Sequence, residues 1–188
     1  MSVEHVSRSG QVYYLHVKSR KNGRPNFYFS KDPEGPPVDA VPDGFEIYEN
    51  IGGQVFLRRI PKKLIADDEV ELTRAALALH AEKWRHKIDV KKNIVTVYET
   101  DSSDDLSELL APWVDPAKEK EYRIRNAHYM AVLRFILTDP ARRIFKAERY
   151  CFRGSVDAWI DIGPPAPLPA LLKKYVKHLG KDSFYDLF

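Results

Sequence analysis

Cysteine is almost absent from this sequence of 188 residues, which contains a single one, Cys151. One cysteine can neither close a disulfide within the chain nor supply a multi-cysteine zinc site. Runs of about 18 apolar residues are also missing, and the first ten residues lack the apolar stretch of a secretory signal. We therefore expect a protein of a reducing compartment, the cytoplasm, that is neither exported nor in contact with a membrane.

The short motifs of several common enzyme classes are missing as well. The chain contains no GxGxxG, no GxxxxGK followed by Ser or Thr, no GxSxG and no HExxH. Its six histidines show no metal-ligand spacing, since His80 and His86 fall on different sides of a predicted helix. We expect neither a metal nor a cofactor, and the missing motifs weigh against nucleotide-dependent, serine-hydrolase and zinc-protease chemistry.

Neither sign of charge is in large excess. The chain has 30 Lys and Arg against 27 Asp and Glu, a formal net charge of +3. This balance is not typical of a protein that coats a polyanion with its whole surface, so only a local basic patch can matter. Hydrophobic residues at 44% and aromatic residues at 12% predict a globular fold rather than disorder.

The length fits one α+β domain, residues 1–188. A boundary near residue 62, with a β-meander subdomain over residues 1–62 and an α+β subdomain over residues 63–188, fits the patterning equally well. No internal repeat is visible.

The stretch YYLHVKSRKNGRPNFYFS, residues 13–30, predicts a β-hairpin. A three-residue loop that ends at a left-handed Gly23 pairs Val17 with Phe27 and makes one face wholly apolar. The opposite, outward face then carries a set of aromatic, cationic and amide side chains: Tyr14, His16, Lys18, Arg20, Arg24, Asn26 and Tyr28.

The rest of the chain alternates between strand and helix patterns. FEIYE and VFLRRI predict a second hairpin, which extends the first into a four-stranded meander over residues 11–60. An amphipathic helix is predicted over residues 67–86, a short helix over 102–112, and a leucine-faced helix from Leu168 to Gly180. Between the last two of these helices, a hairpin is predicted that sets Leu137 opposite Phe145 and Arg134 opposite Glu148, which keeps one of its faces apolar. The prediction is therefore an α+β fold of antiparallel hairpins with a central and a C-terminal amphipathic helix.

The outward face of the first hairpin is the sharpest functional feature of the sequence. Its aromatic rings can stack on bases while its cations contact phosphates, which indicates a non-enzymatic binding or accessory protein. The partner is nucleic acid or an acidic protein surface. In the simpler alternative, the cations are solvated at a hairpin tip, where they also protect an edge strand from aggregation.

Two other functions remain open. A small hydrolase or nuclease would use polar groups near the last hairpin, because paired carboxylates can bind a divalent ion or share acid and base roles. Those candidates are Glu148, Asp157, Asp161, His128 and Arg153. Asp157 and Asp161 fall on one side of either a strand or a helix. Alternatively, the chain is a protein–protein interaction module, for example a homodimer that buries an aromatic sheet face.

Overall fold

The computed structural model describes residues 2–80, 83–100, 127–153 and 156–187, together with residues 115, 118, 121 and 124 singly. The chain divides into two compact units, Met1–Pro61 and Lys62–Phe188. The number of independently folding domains stays a prediction, and each unit is described by itself below. The predicted short helix over residues 102–112 lies outside the described residues.

The N-terminal unit consists of short antiparallel strands in two separate sheets. A three-stranded sheet has the order β1-β2-β3, and β4 pairs with β5 in a two-stranded sheet. The strands are β1 Glu4–Val6, β2 Val12–Ser19, β3 Pro25–Ser30, β4 Phe45–Glu49 and β5 Val55–Arg59. The predicted four-stranded meander is thus two hairpins that do not share a hydrogen-bonded edge. They meet through side chains, since the rings of Phe27 and Phe45 lie 6.2 Å apart.

The register predicted for the first hairpin is confirmed. Val17 lies opposite Phe27, and Leu15 lies opposite Phe29. The amide of Arg20 donates to the carbonyl of Arg24 at 2.9 Å, which closes a loop of residues 21–23. Gly23 has φ +75°, a left-handed conformation that glycine adopts without strain from a Cβ atom. The backbone twist at Gly23 therefore sets which side chains point inward, and Leu15 is fully buried.

The C-terminal unit is built on a six-stranded antiparallel sheet of order β10-β9-β8-β7-β6, with β11 beside β9. Two helices accompany the sheet in the described part of the chain, α1 Asp67–Ala78 and α2 Leu168–Tyr175. The strands are β6 His86–Lys91, β7 Ile94–Thr100, β8 Tyr129–Asp139, β9 Ile144–Arg153, β10 Val156–Asp161 and β11 Ala166–Pro167. The chain therefore has the α+β fold that the sequence predicts, dominated by antiparallel strands.

Alternation along the strands separates an apolar from a polar face of this sheet. On the apolar face Leu133, Phe135 and Val97 are fully buried and belong to one core with residues of both helices. Burial of each such side chain stabilises the fold by about 1.5–3 kcal/mol. Arg134 and Glu148 face each other on the opposite side, in the register that the sequence predicts.

The central helix is shorter than predicted. It ends at Ala78, whereas the pattern predicted a helix up to His86. His86 instead begins β6, which pairs with β7 across a tight turn at Lys92 and Asn93. Tertiary pairing overrides local helix propensity here, because Ile88 and Val90 alternate toward the core once Val97 and Val95 lie opposite them.

The C-terminal helix confirms its predicted leucine face. Leu168, Leu171, Leu172, Tyr175, Val176 and Leu179 are all buried. After Tyr175 the helix continues as a 3₁₀ turn over Val176–His178, and Gly180 follows with φ +70°. The hydroxyl of Tyr175 donates to the carbonyl of Ile162 at 2.5 Å, which fixes the helix to the end of β10. None of the described helices is both long and apolar enough to cross a membrane.

Candidate functional site

The end of the first hairpin presents a compact cationic surface. We define the hairpin-tip surface as Lys18, Arg20, Arg24, Asn26 and Tyr28. The guanidinium of Arg20 donates to the side-chain oxygen of Asn26 from Nε at 3.2 Å and from Nη2 at 2.7 Å. The Nζ of Lys18 lies 5.3 Å from the centroid of the Tyr28 ring, within cation–π range. Strand pairing therefore places Lys18 against the aromatic ring and Arg20 against the amide, with Arg24 next to Arg20 across the loop closure.

These cations lack acidic partners. Within the described residues no carboxylate forms an ion pair with any cation from position 18 to 31, which are Lys18, Arg20, Lys21, Arg24 and Lys31. The same unit pairs other cations: Arg58 lies 2.8 Å from Glu46, and Arg8 lies 3.4 Å from Glu49. Residues 1–61 hold eight Lys and Arg against seven Asp and Glu, so the positive surface arises from charge placement rather than from net charge.

His16 is not part of an exposed surface, contrary to the sequence prediction. Only 1% of the residue is exposed, although it lies on the predicted face, opposite Tyr28. Residues 32–37 fold back over it, and its Nε2 lies 2.9 Å from the carbonyl oxygen of Asp32. A Cβ atom added to Gly35 would be 2.8 Å from Nδ1 of His16, so the loop backbone packs directly on the histidine ring. The path of this proline- and glycine-rich loop is a tertiary feature that strand alternation does not predict.

Burial of His16 divides the predicted binding face in two. Tyr14 lies opposite Ser30 on the far side of His16 from the tip, and it is half-buried. Tyr28 is also half-buried, with its ring 5.5 Å from the ring of His16. Five of the seven predicted binding residues thus lie at the hairpin tip, whereas His16 is buried against Tyr28 and Tyr14 lies beyond it.

The carboxylates of the last hairpin lie on the polar face of the large sheet, but each has a partner. Glu148 is 7% exposed; its carboxylate lies 2.5 Å from the guanidinium of Arg134 and 2.9 Å from Nζ of Lys146. The same Nζ lies 2.7 Å from Asp161. Hydrogen bonds to Asp161 and Glu148 raise the pKa of Lys146. One lysine therefore bridges Glu148 and Asp161, which leaves no open pair of carboxylates there.

The other catalytic candidates are dispersed. Asp157 and Asp161 share one side of β10, as predicted, but Asp157 accepts a hydrogen bond from Tyr150. This hydrogen bond raises the pKa of the Tyr150 hydroxyl. His128 is exposed and six residues before Arg134, about 20 Å along the strand from the Glu148 network. Arg153 ends β9, and its side chain lies outside the described part of the structure.

No cluster of three or more His, Cys, Asp or Glu able to hold a metal ion occurs among the described residues. Comparison with protein-family models, with curated proteins and with solved structures finds no match.

Sequence reasoning missed a contact between two histidines in the C-terminal unit, the half-buried His80 and the buried His86. The rings of His80 and His86 lie 4.6 Å apart in an edge-to-face arrangement, because α1 ends at Ala78, before either histidine. His80 Nε2 lies 3.0 Å from the carbonyl oxygen of Leu179, and His86 Nε2 lies 3.5 Å from Glu99. The only signal for this contact was the strand alternation of HKIDVK, which would have ended the helix before His86.

A groove between α1 and α2 was missed as well. It encloses about 740 Å³, and its walls are largely aliphatic. Lys173, Lys177 and Lys181 stand along one side of it. The sequence carried a signal for this groove, because Leu72, Ala75, Ala76 and Leu79 have the i, i+3, i+4, i+7 spacing of a second apolar stripe on α1.

Proposed function

We propose that the chain is a non-enzymatic binding or accessory protein that contacts single-stranded nucleic acid through the hairpin-tip surface. The observation that supports this function is a set of cations at the hairpin tip that have no carboxylate partner among the described residues, with Lys18 against the Tyr28 ring, whereas Arg8 and Arg58 of the same unit are paired with carboxylates. Cations beside an aromatic ring suit a partner that offers phosphates and planar bases together.

Arg20 and Arg24 are adjacent across the loop closure, where like charges repel. A phosphate between them relieves that repulsion and accepts hydrogen bonds from both guanidinium groups. Asn26 holds Arg20 through Nε and Nη2, so Nη1 remains to donate to a phosphate oxygen. Tyr28 then lies close enough to offer its ring to a neighbouring base.

Three cations on a small surface predict weak binding with little sequence preference. For single strands the affinity changes with salt by a slope of roughly −0.7 per phosphate contacted, which gives about −2 for Lys18, Arg20 and Arg24. Between about 50 and about 200 mM salt, the affinity should therefore fall roughly 20-fold. Contact with an acidic protein surface would show no requirement for Tyr28 as a stacking ring.

The test is fluorescence anisotropy of a labelled oligothymidine with the full-length protein. Replacing Arg20→Glu together with Arg24→Glu should weaken binding at least about tenfold, because two attractive contacts become repulsive. Arg59→Glu is the matched control: the same charge change in the same unit, at an exposed position on β5 that is not part of the hairpin-tip surface. Tyr28→Leu keeps an apolar side chain and should weaken binding to the oligonucleotide alone.

Two competitors distinguish the classes of partner. Heparin carries anionic charge without bases, and polyglutamate represents an acidic protein surface. If the double variant binds oligothymidine with the affinity of the wild type, or if that affinity does not change with salt concentration, the hairpin tip is not the interface. If polyglutamate binds as tightly as oligothymidine and Tyr28→Leu changes neither affinity, the partner is an acidic protein.

A further inference from the structure

The groove between α1 and α2 has apolar walls and a cationic edge. Leu72, Ala76 and Leu79 of the α1 segment face Leu172 and Val176 across it. Its volume of about 740 Å³ lies within the range of natural ligand sites, about 300–1,000 Å³. The groove belongs entirely to the C-terminal unit.

Helix α1 carries more apolar surface than the core of its own unit uses. Thr73 and Leu77 are buried against the core, which satisfies one side of the helix. Leu72, at 39% exposure, and Leu79, at 89%, lie on the groove side instead. A single exposed leucine is ordinary, but a stripe with helical spacing beside a groove marks an interaction surface.

The charges around the groove have one sign. Lys173, Lys177 and Lys181 contribute to its lining, and the described lining contains no Asp or Glu. None of the three lysines forms an ion pair with any residue that the structure describes. Lys173 and Lys177 are four residues apart, about 6 Å along the helix axis, and Lys181 extends the row. A row of separated cations matches a row of carboxylates better than it matches one compact anionic head group.

We infer that this groove binds an acidic amphipathic α-helix of a partner protein. The leucine or isoleucine face of that helix would lie against Leu72, Leu79 and Val176, and its flanking Asp or Glu would pair with the lysine row. Acids four residues apart on such a helix have the same spacing as Lys173 and Lys177. The inference concerns a different unit from the hairpin tip and does not depend on nucleic-acid binding.

The test is selection from a displayed library of amphipathic helices against the full-length protein. Each member has about 16 residues, roughly four turns, with fixed leucines at i, i+3, i+4 and i+7 and random polar positions. The library contains acidic, basic and neutral flanks in equal number. Enriched helices should carry Asp or Glu at flanking positions spaced by three or four residues.

Surface variants locate the binding site. Lys173→Glu with Lys177→Glu should weaken an enriched helix at least about tenfold, and Leu79→Glu should do the same by placing a charge on the apolar wall. Lys174→Glu is the matched control, because Lys174 lies on the same helix outside the groove, with its Nζ 4.9 Å from the Tyr175 ring. A helix whose acids are changed to lysines should regain affinity for the Lys173→Glu, Lys177→Glu protein.

Three results would overturn the inference. One is the enrichment of neutral or basic helices, or of none. Another is binding that Lys174→Glu weakens as much as the groove variants do. The third is a different occupant of the groove. If light scattering shows a dimer that Leu79→Glu abolishes, the groove binds a second copy of the chain. A fatty acid such as laurate that binds where no helix does assigns it to a small amphipathic anion.

Discussion

Replacing Gly35 with alanine tests whether His16 is buried beneath the loop over residues 32–37. The new Cβ would lie 2.8 Å from Nδ1 and 2.9 Å from Cε1 of the His16 ring. The ring cannot simply withdraw, because its Nε2 is within hydrogen-bond distance of the Asp32 carbonyl oxygen. Either the loop or the ring must therefore move.

The sign of the change in the free energy of unfolding on Gly35→Ala shows whether the loop covers His16. Gly35 has no left-handed φ, so alanine suits its backbone, and where space is open such a change stabilises by about 0.4–1 kcal/mol. Overpacking against a fixed ring costs about 1–3 kcal/mol. We expect Gly35→Ala to destabilise the N-terminal unit by about 1–2 kcal/mol net. In a His16→Ala background the same change should become neutral or stabilising.

Urea denaturation followed through the backbone amide NMR signals of Leu15 and Phe29 measures this effect. The described tryptophans, Trp84 and Trp159, belong to the C-terminal unit, so tryptophan emission does not report on these residues. Gly52→Ala is the comparison variant, since its Cβ would meet only the side chain of Asn50, at 3.3 Å, a milder contact than the one at Gly35. A stabilised Gly35→Ala protein would show that the loop does not cover His16.

Two further predictions concern the C-terminal unit. Tyr175→Phe leaves the buried Ile162 carbonyl without its donor and should lower the free energy of unfolding by about 1–3 kcal/mol. Urea denaturation followed by tryptophan emission measures this change, and an unchanged denaturation midpoint would contradict the prediction. Asp157→Ala should bring the raised pKa of Tyr150 back toward 10.0 in an NMR titration. Because the folded pKa is raised, the hydrogen bond stabilises below about pH 10 and is lost as pH rises through that pKa.

Side-chain alternation predicted the strand pairings well. In the first hairpin the register with a three-residue loop puts Leu15, Val17 and Phe27 on the same face, which a two-residue loop does not, and a glycine was available for the left-handed turn. The pairing of Arg134 with Glu148 followed from the same rule in the last hairpin. Such predictions succeed because a one-residue slip would expose a whole apolar face.

Contacts between separate elements of the fold could not be predicted from side-chain alternation. The burial of His16 depends on the route of a loop with several prolines, and no periodicity encodes that route. The helix predicted up to His86 ended early because pairing with β7 outweighs the helix propensity of residues 79–86. The Lys146 bridge between Glu148 and Asp161 required the order of β9 and β10 in the sheet.

The position of α2 late in the chain determines when the core of the C-terminal unit can form during synthesis. Leu168 follows Ala78 by 90 residues, yet the buried side of α1 shares its core with Leu168 and Leu172. At about 5–20 residues per second, a ribosome needs roughly 5–20 s to make that stretch. The strand pairings of the N-terminal unit close within its own 61 residues and require no such delay. During translation, the apolar side of α1 therefore lacks its partners on α2 throughout that interval and is a surface for a chaperone to protect.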